Sequence, residues 1–463
     1  MKNFFVIVLL LTAFNSFSQV NSKLVLDLPF ADFKYMSNSA MTYSNHYPAS
    51  NVKWYDYLRA YNSPSMQQTL SASASFYNSL NYAYEVININ WFNKDFLNYL
   101  TESTILITAE LLSTYVPLGD AWLHEEFHRT ILTNNNVRSY DQVNDLPFFS
   151  ELISVNRVTD EDLIRFKASN PQDFVRLHAA GIEGEYMLTH KLQSYNFFYD
   201  QKLPYFTYTL YWTVNSFYYV WFCHTHDAEI TTNDVNTQDG SDIEIRDFTG
   251  LDFLAWTYDL YNPYEPYENR GIHPSGVGID RYIVPSDLTQ EQMKYLTKQG
   301  YLQMINFLYP MLIGVNKIPF NRDKNSYFNF AARHLLTSFG SDVSFYFFYK
   351  QEKLNLISGV HLYQNQIKSM PGIELELIDY DFKFKDLILR TSAKTLIWFQ
   401  PENLLFVDNN ADFGGLIDLK LKMGKKTFFP YAQITAKTKG WVAGNEFQNQ
   451  TFSFKAGLSW YLF

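Results

Sequence analysis

The chain is poor in cysteine, in charge and in long apolar runs. Cys223 is the single cysteine in 463 residues, which excludes an internal disulfide framework and makes a small buried hydrophobe the simplest role for it. Charged residues make up 18% of the chain, below the usual quarter. The formal net charge is -10, and no run of Lys and Arg offsets it. Nucleic acid is therefore excluded as a partner, because phosphate binding needs a basic face. No G-x-S-x-G, P-loop or Rossmann glycine run is present, which removes the common nucleophile-elbow and nucleotide-binding readings.

Two segments invite a membrane reading. The first 18 residues carry Lys2, an apolar stretch from Phe4 to Phe14, and the small residues Ser16 and Ser18. They read as a cleaved secretory leader, too short for a spanning helix. Residues 203–223 carry no charge but are rich in Tyr, Trp and Thr and contain Asn215. That composition favours a buried helix over a span. If residues 97–117, 203–223 and 301–315 were spans, the chain would be an integral membrane protein. Glu102, Glu110, Asn215 and Pro310 within them argue against it.

Aromatics are plentiful at 18%, and the texture changes along the chain. Residues 19–60 form an N-terminal segment able to supply one strand, and 66–90 alternate in a way that permits another. From about 95 the spacing is helical. Asp120 is a candidate cap for a helix from Ala121, Thr159 for a short one, and Asn170-Pro171 for a long one. Another helix starts near Thr289. The segment 224–286 is acidic and rich in Gly and Pro, and is expected to hold only short elements. After 325 the chain turns to strands of about ten residues with alternating apolar and polar positions. Ile417, Leu419 and Leu421 alternate with Asp418, Lys420 and Lys422, placing charge on one face and apolar groups on the other.

The last of these strands, with Phe452, Phe454, Ala456, Leu458, Trp460 and Leu462 before Phe463, resembles the closing strand of bacterial outer-membrane β-barrels. The resemblance implies lipid as a partner and an outer-membrane location. It also implies a barrel of about eight strands, the eighth drawn from 326–337 or from the N-terminal segment.

The chemistry centres on His124-Glu125-Glu126-Phe127-His128. On a helix the two histidines lie one turn apart and can share one zinc, with Glu125 beside the open coordination position. The pattern resembles that of the glutamate-type zincin metallopeptidases, and the likeness covers about residues 120–190. It implies Zn²⁺ as cofactor, Glu125 as base, a third ligand on a following helix, and an amide bond of a peptide or envelope compound as substrate. Glu183, followed by Gly184, fits the third ligand best, with Glu185 next. His178 is a further option as ligand or oxyanion donor. Gly181 and Gly184 suit a close approach of that helix to the histidine helix. Charges at Glu126 and Arg129 depart from the zincin pattern and bear against proteolysis more than against metal binding. His224 and His226, beside Asp227, suit an exposed loop, with His226 able to support the site.

The expected fold class is α+β: a helical zincin-like domain over 61–324 and an antiparallel β-barrel over 325–463. The rival function is a non-enzymatic outer-membrane protein whose helical part plugs the lumen or binds a partner.

Overall fold

The computed structural model describes residues 24–37, 63–87, 95–113, 116–144, 153–199, 204–321 and 325–462. The leader-like segment 1–18 and all of 38–62 lie outside the described residues.

The fold is α+β. Helices α1 (Met66–Ile87), α2 (Asp95–Ser113), α3 (Asp120–Asn134), α4 (Asp160–Ser169), α5 (Pro171–Tyr199), α6 (Pro204–Phe222), α7 (His226–Asp239), α8 (Asp252–Tyr261) and α9 (Gln290–Leu302) precede most of the strands. Several begin where their caps predict. Thr159 accepts from Asp162 N at the start of α4, and Thr289 and Gln292 form a capping box on α9. On α3 the cap is Gly119, and Asp120 lies inside the first turn, where its charge faces the positive end of the helix dipole.

Helix α1 corrects the strand reading of 66–90. Met66, Leu70, Ala74 and Tyr77 are buried, and their spacing is that of a helix face. The alternating Ser and Ala between them mimic a strand while serving as small helix-packing residues. Within 224–286 lie two regular helices, α7 and α8. Among the described residues, no helix is long and apolar enough to cross a membrane. Helix α6, the aromatic 203–223 stretch, is a core helix whose Tyr208, Trp212 and Val220 are buried.

Ten of the described strands form one sheet. Strands β1 (Leu24–Asp32), β4 (Ile318–Pro319), β5 (Ser326–Thr337), β6 (Gly340–Gln351), β7 (Leu354–Gln364), β8 (Ser369–Phe384), β9 (Leu387–Pro401), β10 (Ala411–Gly424), β11 (Phe428–Lys437) and β12 (Thr451–Leu462) run β1-β12-β11-β10-β9-β8-β7-β6-β5-β4. All pairings are antiparallel. A second, two-stranded sheet joins β2 (Tyr140–Asp141) to β3 (Val155–Asn156). Both expected sources of an extra strand contribute, 326–337 as β5 and the N-terminal segment as β1. The closed barrel of about eight strands is not found. The sheet has ten strands, and its edges β1 and β4 do not pair with each other among the described residues. The edge strand β4 is only two residues long, too short to continue the ladder around.

The sheet is inside out compared with that of a soluble protein. Ile373, Phe413, Ile417 and Phe452 are each more than half exposed on the outer face. The concave face holds charge: Lys420 bonds Asp27, and Lys422 bonds Asp379, each at 2.7 Å. Helix α5 lies against that concave side. One hydrophobic cluster joins Val175, Ala179 and Ile182 of α5 to Leu335, Tyr363 and Trp398 of the sheet. Another joins Phe197 and Phe198 to Phe348, Phe429 and Tyr461. Residues 61–324 and 325–463 therefore share cores.

Helices α3 and α5 touch through glycine. A Cβ on Gly184 would lie 2.9 Å from Leu123 Cδ2 and 3.0 Å from Phe127, closer than ordinary packing allows. Gly184→Val should lower stability by about 1–3 kcal/mol through overpacking, read from the midpoint of denaturant unfolding. An unchanged midpoint would mean the two helices do not pack this closely.

Candidate metal centre

His124 and His128 lie on one face of α3, ring centroids 4.9 Å apart. That face looks at α5 and at the first turn of α8. Gly181 makes room: a Cβ there would sit 2.2 Å from His124 Nε2.

The Nδ1 atom of each ring is engaged. His128 Nδ1 is 2.6 Å from the Leu177 carbonyl, and His124 Nδ1 is 2.7 Å from Glu185 Oε1. The other Glu185 oxygen accepts from Ser216. These acceptors hold the Nδ1 side of both rings and leave the Nε2 atoms as the nitrogens a metal would use. Both Nε2 atoms meet the same carboxylate oxygen, Asp252 Oδ2, at 3.2 Å for His124 and 3.5 Å for His128. Four ligands at zinc–nitrogen and zinc–oxygen distances of about 2.0–2.2 Å stand about 3.3–3.5 Å apart at the corners of a tetrahedron. The two histidine–Asp252 spacings are close to that edge. His124, His128 and Asp252 thus form a buried group that can hold a metal ion.

The electrostatics favour positive charge between the rings and Asp252. Burial opposes a charged His124, yet Asp252 and Glu185 lift it well above the usual histidine range. Burial also works against ionisation of Asp252, but His128 and His124 hold it below the ordinary carboxylate range. Glu125 is buried beside the group, and desolvation raises its carboxyl, while His124 and His128 pull it back down. It has no hydrogen-bond partner among the described residues.

The other candidates are placed differently. Glu183 does not reach the histidines. It is buried against Arg176 at 2.7 Å and accepts from Gly444 N at 2.8 Å, on the side of α5 that faces the sheet. Glu185 does reach the group, but it orients His124 through Nδ1 rather than joining the three ligand atoms. His178 is held between Asp259 (2.9 Å) and Thr249 (3.0 Å). Asp259 also binds Lys167 and Arg270, so His178 belongs to a network that clamps α8, the helix that carries Asp252. His226 is exposed at the start of α7 and outside the group. Burial pushes the Cys223 thiol far up, in keeping with an inert core residue. The charges at Glu126 and Arg129 are explained: they pair with each other in the core, and Glu126 also accepts from Ser63 Oγ at 3.2 Å.

Asp252 was the residue missed. The signal was an acidic residue opening Asp252–Tyr261, whose Phe253, Leu254, Trp256 and Leu260 are buried. Glycine-rich flanks made the region read as a loop.

Asp252→Ala should abolish tight metal binding, measured by metal content after dialysis. Glu183→Gln should keep the metal but lower unfolding stability by roughly 3 kcal/mol, because Arg176 loses its buried partner. The reverse pattern would return Glu183 to the ligand set.

Comparison of the chain with protein-family models, with curated proteins and with solved structures finds no match, so the assignment of this site rests on its own residues.

Proposed function

We propose that the protein is a zinc-dependent hydrolase held in the outer membrane by its sheet. One observation carries the hydrolase reading: His124 Nε2, His128 Nε2 and Asp252 Oδ2 converge while Leu177 and Glu185 engage both Nδ1 atoms. Two imidazoles and one carboxylate form a nitrogen–oxygen donor set that suits zinc and leaves a fourth position open. When bound, zinc would supply Lewis acidity, polarising a carbonyl and acidifying water.

The chain's own groups do the rest. Glu125, one residue after the first histidine and with its carboxyl raised by burial, takes the proton of the attacking water and passes it to the leaving amine. Glu185 and Ser216 keep the His124 ring turned. The Asp259 network keeps α8, and so Asp252, in place. The substrate class is an amide, in a peptide or an envelope compound.

The membrane reading rests on the sheet. Apolar residues point outward and charged ones inward along successive strands, as in an outer-membrane barrel wall. Phe345, Val360, Leu375, Ile397, Phe399 and Phe454 extend the outer apolar band.

The second reading is a non-enzymatic outer-membrane protein, and one observation favours it. A cavity lies on the far side of α5, away from the histidines. Purified protein should hold one equivalent of zinc. Glu125→Gln should retain the zinc and lose hydrolysis of a peptide library, while His124→Ala should lose both. Zinc-free wild type would sink the enzyme. Retained zinc with no turnover would favour the second reading.

The protein should fractionate with the outer membrane, and Ile417→Arg, on the lipid face, should weaken folding into vesicles by about 2–4 kcal/mol. A monomer soluble in water without detergent would overturn the membrane reading.

A further inference from the structure

Helix α5 has a second face that the metal centre does not use. Opposite Glu185, its His190, Lys191, Ser194 and Tyr195 line a cavity of about 280 Å³, enclosed by the concave face of the sheet. Strand residues bring many charges to this cavity, and nearly all are matched. Lys420 meets both oxygens of Asp27 at 2.7 Å. Lys422 meets Asp379 at 2.7 Å, Lys394 meets Glu374 at 2.8 Å, and His361 meets Asp342 at 2.8 Å. Asp418 accepts from Gln433 at 2.8 Å and from Thr435.

Besides Arg333, whose hydrogen bonds go to the Ala332 carbonyl and Gln193, two groups of opposite sign make no ion pair among the described residues. Lys191 on α5 has only a neutral partner, donating to Ser71 Oγ at 2.7 Å. Glu376 on β8 has no hydrogen-bond or ion-pair partner among the described residues. Both are partly buried, and both line the cavity. The charges nearest to them, Asp27 for Lys191 and Lys394 for Glu376, are already engaged by Lys420 and Glu374, so each half-desolvated group lacks a hydrogen-bonded counter-charge of its own, which is unfavourable. The arrangement becomes favourable when a ligand brings a carboxylate to Lys191 and an ammonium to Glu376. Charge-assisted hydrogen bonds of this kind are the strong ones. The volume suits a small molecule, and Tyr195, Tyr199 and Tyr431 offer aromatic walls for a short side chain.

We propose that this cavity is a binding site for a small zwitterion with a free α-ammonium and a free carboxylate, an amino acid or a dipeptide. The site is separate from the histidine group and does not depend on it, although its ligand is the kind of molecule that peptide hydrolysis releases.

Calorimetry on the full-length, detergent-solubilised protein with L-alanyl-L-alanine tests this, with the N-acetylated and the C-amidated dipeptides as comparison probes. The free dipeptide should bind saturably. Glu376→Gln and Lys191→Met should each weaken it roughly tenfold. Acetylation should cost the wild type about as much as Glu376→Gln does, and should cost that variant nothing further. The amide should behave likewise with Lys191→Met. Should a variant fail to fold, the two blocked probes on the wild type still decide. No saturable binding, or blocked dipeptides that bind as well as the free one, would overturn the proposal and leave a water-filled lumen. His128→Ala should bind the dipeptide normally, so loss of the metal reading and loss of this one are separately visible.

Discussion

The closeness of α3 to α5 governs the centre of the molecule. Glycine within a helix costs about 1 kcal/mol relative to alanine, and α5 carries two, Gly181 and Gly184. Each lies where a side chain would strike α3: Gly181 under the His124 ring, Gly184 against Leu123 and Phe127. The cost is offset by contact. With the helices this near, the Leu177 carbonyl and the Glu185 carboxylate reach the two Nδ1 atoms directly. A wider spacing would break both contacts and free the rings to rotate. The metal-binding geometry is thus a consequence of helix packing, set before any metal arrives.

Helix α5 also divides the interior. Glu185 faces the histidines, whereas Met187, His190 and Lys191 face the cavity. Arg176 and Glu183 pin the same helix to the segment 442–445 through the Val442 and Asn445 carbonyls and the Gly444 amide. That segment precedes β12, which pairs with β1. Displacement of the sheet would therefore be felt at the histidines through one rigid helix, because buried ion pairs and close-packed cores do not deform smoothly.

Local rules made much of this legible. Caps at Thr159 and Thr289 and the Asn170-Pro171 start located three helices. Period-two patterning located the strands after 325, and the Ile417–Lys422 alternation told which face carried charge. The helix of the two histidines and its glycine-bearing partner were also readable. Two things were not. The Ser and Ala alternation over 66–90 imitates a strand because small residues carry little period signal, and only the buried Met66, Leu70, Ala74 and Tyr77 reveal a helix. The third ligand was sought on α5 at Glu183, where local resemblance pointed. The carboxylate that meets the two histidines, in a group that could hold a metal ion, is instead Asp252, 124 residues beyond His128 in the numbering. Sequence spacing carries no information about which helix end folds back to meet two imidazoles. Glu183 and Asp252 are both buried carboxylates, and what separates them is an arginine neighbour in one case and two histidines in the other.

The inverted sheet explains why so many charges tolerate burial. A strand with apolar groups outward must turn its alternate positions inward, so the polar half of each strand meets the helical layer. Those groups stay ionised where partners reach them, from neighbouring strands for Glu374 and Asp342 and from more distant ones elsewhere. Asp27 of β1 takes Lys420 of β10 and Ser459 of β12. Asp379 of β8 takes Lys422 of β10, Tyr461 of β12 and Tyr199 of α5. Ser459 lies directly across from Asp27 on the neighbouring strand, but the Asp27–Lys420, Asp379–Lys422 and Asp379–Tyr461 contacts join strands that do not neighbour one another, so these ties cross the hollow of the curved sheet as well as following its ladder. It also ties α5 to the hollow at its C-terminal end, next to the apolar contacts of Phe197 and Phe198 with Phe348. The helix that orients His124 is therefore anchored at one end by aromatic packing and ionic ties and at the other by the Arg176–Glu183 pair. With both ends fixed, the middle, where Gly181 and Glu185 meet the histidines, has little freedom left, and that rigidity is what a metal centre assembled from three separate elements requires.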